Sequence, residues 1–408
     1  MDVLNRGRLP PQFLRSPPPL PVTLPPWLVD DALRRQTFPC LQHGLFFAHA
    51  GVAVLPLTAA DALREFATTG SCHYQENETI WRRVADARAT AARLLGAKPH
   101  EIALLGPTAL GLSLIARGLT WNPGDEVVYY PDDYPANVYP WIALRDVGVR
   151  PVPLHPAQPG QITWDLIRAA LSPKTKLVAL ASCHFLTGFR LDLPTVGAEL
   201  KQRGILFSLD GIQTLGAFPT LAQHADFISA DSHKWLLGPV GAGIIYVNEN
   251  RFDQLRPILL GSWNVQSPDF IAQDQIEFYE GARRYEPGTL NLPGIFAMQA
   301  SMELLLEAGL PTIASRLLHL RQLLIEQLEP LGYQSVLPRH LSDFHSSGIV
   351  TFRLPRSLNA EAMACRLRDQ HATVSWRKNR QGETFLRLSP HFYNTPDDVH
   401  AIADLLKP

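Results

Sequence analysis

Two residues in this chain are spaced for carbonyl chemistry. Asp210 closes the apolar run Ser208-Leu209-Asp210, and Lys234 follows 24 positions later in Asp231-Ser232-His233-Lys234-Trp235. Each comes after a short apolar segment, 205–209 and 227–229, that reads as a buried strand. A lysine amine so placed can form a Schiff base with an aldehyde. A carboxylate so placed can keep a pyridine nitrogen protonated, and the ring then draws electrons from a substrate carbanion. Pyridoxal 5'-phosphate (PLP) asks these two things of a protein. Gln213, three residues past Asp210, can reach the ring oxygen of such a cofactor, and His233 can bond its phosphate.

The remaining parts of a PLP site have counterparts. A phosphate needs backbone N–H groups at a helix start together with hydroxyls or positive charge. Gly106-Pro107-Thr108-Ala109-Leu110-Gly111 lies between the apolar run 102–105 and a helical pattern, which makes Thr108 and Ala109 the phosphate candidates. A group must also stack on the ring. Tyr134, in the segment 131–137 after an apolar strand, would stand at the carboxyl edge of a parallel sheet, where ligands bind. Arg387, in Leu386-Arg387-Leu388-Ser389, offers a fork that matches a carboxylate in two hydrogen bonds, and an α-amino acid would supply one.

The elements that must position these residues alternate. Apolar spacing predicts helices over 76–95 and 111–119, and strands over 127–130, 177–181, 205–209, 227–229 and 243–247. Strands that are apolar throughout and separated by helices imply an α/β fold, a mostly parallel sheet covered on both faces. From 294 to about 331 the pattern is helical; apolar stretches at 348–352 and 384–388 and a helix over 397–406 then suit a smaller α+β domain. A chain of 408 residues exceeds what one core usually supports. The expected division is a Pro-rich extended arm over 1–35 with a short helix near 27–35, a large domain over 36–295 and a small domain over 296–408.

Other classes are disfavoured. A net charge of −1 argues against a generic nucleic-acid or anionic-membrane binder. No run of 18 apolar residues suits a membrane span, and no basic stretch with an apolar region suggests a signal peptide. Cys40, Cys72, Cys183 and Cys365 form neither a CxxC pair nor a metal-ligand spacing, so reduced thiols in a cytoplasmic protein and no metal are expected. No Gly-x-Gly-x-x-Gly turn opens a helix after a strand, which weighs against dinucleotide binding.

On the Ser232-His233-Lys234-Trp235 motif, the 207–213 strand, the segment 284–291 and the segment 387–395, the chain resembles fold-type I PLP enzymes of the class V aminotransferase group. That group includes cysteine desulfurases, isopenicillin N epimerase-like proteins and kynureninase. The resemblance runs from about Leu45 to Leu406 and implies the fold of those enzymes, a large domain with a mostly parallel seven-stranded sheet and a smaller C-terminal domain. It implies roles as well. Lys234 would be the Schiff-base lysine and proton shuttle, Asp210 the partner of the pyridine nitrogen, and Gln213 that of the phenolic oxygen. Thr108, Ala109 and His233 would hold the phosphate, and Asp231 would also belong to the cofactor side. Thr289 would reach the phosphate of another subunit, which implies a homodimer with shared active sites. Arg387 would grip the substrate carboxylate, with His49 on a loop close to the substrate.

The departures bear on the reaction. Desulfurases stack a histidine where this chain has Tyr134, a poor acid–base group near neutral pH. They also carry a reactive cysteine on a loop before the carboxylate-binding arginine. The matching stretch here, 377–386, has none, and Cys365 reads as part of a helix. The expectation is an enzyme acting on an α-amino acid, first as a C–S or related β-lyase, with transamination and epimerisation as alternatives. The non-enzymatic alternatives are a PLP-binding protein with lost activity and a partner-binding scaffold using the Pro-rich arm.

Overall fold

The computed structural model describes residues 24–407. The chain opens with α1 (Pro26–Val29) and α2 (Asp31–Thr37), then β1 (Leu45–Phe46), α3 (Leu57–Gly70) and α4 (Glu78–Leu95). Next come β2 (Ile102–Leu104), α5 (Thr108–Gly118), β3 (Glu126–Tyr129), α6 (Tyr139–Ile142), β4 (Arg150–Pro153) and α7 (Trp164–Ala170). The sheet is completed by β5 (Thr175–Ala181), α8 (Leu193–Gln202), β6 (Leu206–Asp210), β7 (Phe227–Asp231) and β8 (Gly243–Val247). The C-terminal part holds α9 (Leu292–Ala308), α10 (Leu310–Leu328), β9 (Gln334–Ser335), β10 (Val350–Arg353) and α11 (Ala360–Asp369). It ends with β11 (Ala372–Thr373), β12 (Ser375–Lys378), β13 (Thr384–Leu388) and α12 (Pro396–Leu405).

The seven-stranded sheet runs β2-β8-β7-β6-β5-β3-β4. Four neighbouring pairs are parallel, whereas β8 runs antiparallel to both β7 and β2. Both faces are covered, as the continuous apolar runs predict. Successive side chains go to opposite faces, so Phe207 and Leu209 join one core and Leu206 the other; Ile228 and Phe227 divide in the same way. The edge strand β4 escapes apolar pattern recognition because Pro151 and Pro153 interrupt it, residues that a sheet tolerates at its edge.

Direction decides where the site falls. Strands β3, β5, β6 and β7 are parallel, and two antiparallel steps return β2 to the same sense. Asp210 and Asp231, the last residues of β6 and β7, therefore share one edge with the loop after β3 and the start of α5. Helix α5 begins at Thr108, three residues before the sequence pattern predicts, because Pro107 takes the N-cap position with a φ of −78° that leads into the helix. Gly111 lets α5 lie close on β7: a Cβ there would come within 2.2 Å of Ser229 Oγ.

The second sheet is antiparallel, in the order β12-β13-β10-β9, and packs with α10, α11 and α12 around Phe352, Leu386 and Leu388. Two boundaries move from the sequence expectation. The division at 295/296 falls inside α9, which packs on α3 and α4 and so belongs with the large domain. In turn β1 pairs with β11, and Phe47 sits in the small-domain core. The short helix expected near 27–35 is present as α1 and α2. Residues 26–37 are helical, Leu28 is buried, and Arg34 Nη1 donates to the Tyr393 carbonyl at 2.9 Å. Residues 1–23 of that arm lie outside the described residues.

Candidate active site

A cavity of about 350 Å³ opens where the sheet edge meets the small domain, lined by Tyr134, Gln213, His233 and Lys234 on one side and by Ser375, Arg377 and Arg387 on the other. Lys234 sits in the turn after β7, which closes through Leu237 N–H to the Lys234 carbonyl at 3.1 Å. Its side chain is buried and forms no ion pair among the described residues. Burial pushes the amine down to about 8, against the opposing pull of Asp210. The Nζ atom stands 5.2 Å from the centre of the Tyr134 ring, and Phe185 meets that ring edge-on with centroids 5.6 Å apart.

Asp210 is buried at the end of β6 and accepts the Ile212 N–H at 3.0 Å. Burial raises its carboxyl to about 6, with Ile212 and then Lys234 pulling it back. A carboxyl so disfavoured as an anion gains most from a protonated pyridine nitrogen placed against it. Gln213 donates from Nε2 to the Ala50 carbonyl at 3.2 Å and accepts from Trp235 Nε1 at 2.8 Å.

Strand β7 and helix α5 meet at this sheet edge. Thr108 Oγ1 accepts the Asp231 N–H at 2.8 Å, and Ser229 Oγ donates to the Thr108 carbonyl at 3.0 Å, so the first turn of α5 is tied to the strand that leads to Lys234. Thr108 keeps its hydroxyl proton to donate, and Ala109 follows it in the same first helical turn. His233 Nδ1 lies 2.9 Å from Asp231 Oδ1. Asp231 in turn accepts the N–H groups of His233 at 3.2 Å and Gly241 at 3.3 Å.

Arg387 extends from β13, an interior strand of the small sheet. It is 1% exposed, donates from Nη1 to the Phe185 carbonyl at 2.5 Å, and leaves Nε and Nη2 buried without a partner among the described residues. Burial and the neighbouring Arg377 lower its pKa to about 9, so it remains charged at neutral pH. Unpartnered buried donors at the wall of a cavity are what a carboxylate-binding fork looks like before its ligand arrives.

Of the predicted residues, Tyr134, Gln213, His233, Lys234 and Arg387 line the cavity, Thr108, Ala109, Asp210 and Asp231 stand behind its wall at the same sheet edge, and two fall elsewhere. His49 does not line the cavity, although Ala48, Ala50, Gly51 and Val52 of its loop do. Both its ring nitrogens are engaged, with the Ser389 carbonyl at 2.9 Å and the Tyr393 hydroxyl at 2.7 Å, and burial holds its pKa down at about 4. Thr289 is exposed in a separate cleft with Gly106, Gly241 and Asn291. Two residues were missed. Asp133 accepts the Tyr134 N–H at 2.7 Å and Asn137 Nδ2 at 3.1 Å, which sets the loop that carries Tyr134. Burial first and Asp210 second raise its carboxyl to about 7. Arg377 shares a face with Arg387, which the alternation Ser375, Arg377 across from Arg387 could have revealed once the hairpin was recognised.

The aminotransferase class-V family profile matches residues 45–402. The chain belongs to the aminotransferase class-V family. It is a PLP-dependent enzyme, and the residues around Lys234 fit that cofactor: a buried amine, a buried carboxyl and a helix start beside His233. Among curated relatives, this family member is 25% identical over 390 residues to a probable cysteine desulfurase of Methanothermobacter thermautotrophicus, covering 91% of this chain and 96% of that one. It is 27% identical over 336 residues to the isopenicillin N epimerase of Streptomyces clavuligerus, with 78% and 83% covered. The apo cysteine desulfurase of Thermococcus onnurineus NA1 superposes with a TM-score of 0.84 at 23% identity, covering 91% and 96% of the two chains, a likeness of fold.

Proposed function

We propose that this enzyme binds an α-amino acid and eliminates a β-substituent, carbon–sulfur bonds in preference, releasing the leaving group to solvent. The observation that carries this reading is the cavity wall itself: of the four cysteines, none lines the cavity around Lys234. The stretch between β12 and β13 is a tight turn, Asn379-Arg380-Gln381-Gly382, with no thiol to accept sulfur. Cys365 lies on α11, away from the cavity.

Bound PLP would supply the electron sink that stabilises a carbanion at the substrate α-carbon. The chain's residues divide the other tasks. Arg387 holds the substrate carboxylate with Nε and Nη2, which orients the α-proton toward Lys234. Lys234, with its amine near 8, can take that proton at neutral pH and return it. Asp210 would keep the ring nitrogen protonated, Gln213 would face the ring oxygen, and Thr108, Ala109 and His233 would hold the phosphate, with Asp231 orienting His233 through Nδ1. Tyr134 would cover the ring face. Thr289, exposed outside the cavity, would serve a second copy, which supports a homodimer with shared sites; the unpaired thiols favour a cytoplasmic setting. No described helix is long and apolar enough to cross a membrane.

The test is incubation of the enzyme with L-cysteine, L-cystine and S-conjugated cysteines, with pyruvate and ammonia measured, and Lys234→Ala as the control. Pyruvate from the wild type alone supports the reading. Pyruvate and ammonia from none of them would exclude a lyase, and a new amino acid formed from an added 2-oxo acid would replace it with transamination.

A further inference from the structure

The cavity carries more positive charge than the reaction above uses. Lys234, His233, Arg377 and Arg387 line it, and no aspartate or glutamate among the described residues does. Bound PLP would bring a phosphate for Thr108, Ala109 and His233 to hold, and a substrate α-carboxylate would satisfy Arg387. Arg377 is left over.

Its placement is specific. Ser375 stands directly across from Arg387 in the β12–β13 pairing, and Arg377 is two residues along the same strand. Side chains two apart in a strand share a face, so Arg377 is the diagonal neighbour of Arg387 on the wall that meets Lys234. Diagonal neighbours begin about 7–8 Å apart, a span that two guanidinium groups can close on one short ligand. Arg377 is half-buried and donates from Nη1 only to its neighbour's carbonyl, that of Trp376, at 2.8 Å. Its Nη2 packs over Gly51, 3.4 Å from where a Cβ would stand. It forms no ion pair with a carboxylate among the described residues. Arg380, in the turn of the same hairpin, is matched by Asp132 at 3.1 Å. A half-buried arginine left without an anion, beside a second one with orphaned donors, marks a place for an anion from outside the chain.

We propose that Arg377 binds a second anionic group on the substrate side chain, so that the enzyme takes an α-amino acid ending in a carboxylate or a like acidic group. This rests on the reading of the cavity as an amino-acid site and adds the substrate class. Arg387 and Arg377 then grip the two ends of one substrate, and an uncharged side chain leaves Arg377 unsatisfied.

The experiment titrates the holoenzyme with L-aspartate and L-glutamate against L-asparagine and L-glutamine, reading dissociation constants from the change in cofactor absorbance. The acids are expected to bind at least tenfold more tightly than the amides. Arg377→Gln should abolish that preference while keeping the cofactor absorbance of a folded enzyme, and Arg377→Lys should keep part of it. Equal binding of acids and amides by the wild type would overturn the proposal. So would an Arg377→Gln variant weakened by the same factor for all four ligands, because the arginine would then serve the α-carboxylate or the fold. A response to neutral amino acids without preference for the acids would overturn this inference and leave the amino-acid reading standing. No response to any amino acid would overturn both.

Discussion

Replacing Arg387 with methionine should stabilise the substrate-free enzyme while removing its hold on substrate. The guanidinium is 1% exposed, and burial together with Arg377 lowers its pKa from 12.5 to about 9. At ~1.4 kcal/mol for each pKa step, that fall sets a ceiling of roughly 5 kcal/mol against the charged form in the folded enzyme. The sign follows from a base whose folded pKa lies below its unfolded one. Between pH 9 and 12.5 the unfolded chain binds the proton more tightly, so stability rises with pH across that window, and the whole penalty stands at neutral pH. Against it stands the hydrogen bond to the Phe185 carbonyl, worth about 1.5–3 kcal/mol for a charged donor. Methionine keeps an apolar stem in the same space. The expected net gain is at most about 2–3.5 kcal/mol, the difference between that ceiling and the hydrogen bond. It would be read from urea unfolding at pH 7 with an unchanged slope. Amino-acid binding should fall by roughly a hundredfold or more, the loss of a bidentate charged contact. A variant less stable than the wild type would refute the reasoning, because it would mean that the guanidinium is compensated in the folded enzyme.

Three further outcomes follow from the same geometry. With the Lys234 amine near 8, recapture of PLP by cofactor-stripped enzyme should speed up with rising pH around a midpoint near 8. Asp210→Asn should move that midpoint down, since Asp210 raises the lysine pKa; a midpoint above pH 10 would contradict the burial argument. Tyr134→Phe should keep the cofactor through dialysis, whereas Tyr134→Ala should lose it roughly three- to tenfold more readily, given about 0.5–1.5 kcal/mol for an aromatic pair. Equal retention in both variants would remove Tyr134 from the ring-stacking role. Gly111→Ala drives a Cβ to 2.2 Å from Ser229 Oγ and should destabilise by about 1–3 kcal/mol in thermal or urea unfolding. Ser229→Ala in the same chain should recover part of the loss, and an additive double variant would show that the helix does not sit where α5 is placed.

Much of the site was legible because its residues end strands. Asp210, Lys234, Thr108 and Tyr134 each lie just after an apolar run, and parallel strands bring such ends to one edge. Arg387 was legible as the carboxylate-binding candidate, but its position opposite Lys234 comes from the pairing of β13 with β10 and β12. His49 shows the limit from the other side. Its loop reaches the cavity, yet the ring turns away into the Ser389 carbonyl and the Tyr393 hydroxyl, contacts 340 and 344 positions along the chain that no local pattern encodes.

The sequence alone determined the α/β class, the large sheet and the PLP chemistry, because strand periodicity and residue type are local properties that survive without knowledge of neighbours. Only the tertiary structure decided that β8 runs against its neighbours, that α9 belongs to the large domain, that Asp133 presses on Asp210, and that Arg377 stands beside Arg387. These are contacts between segments far apart in the chain. Their energies come from burial, and burial is decided only when distant surfaces meet.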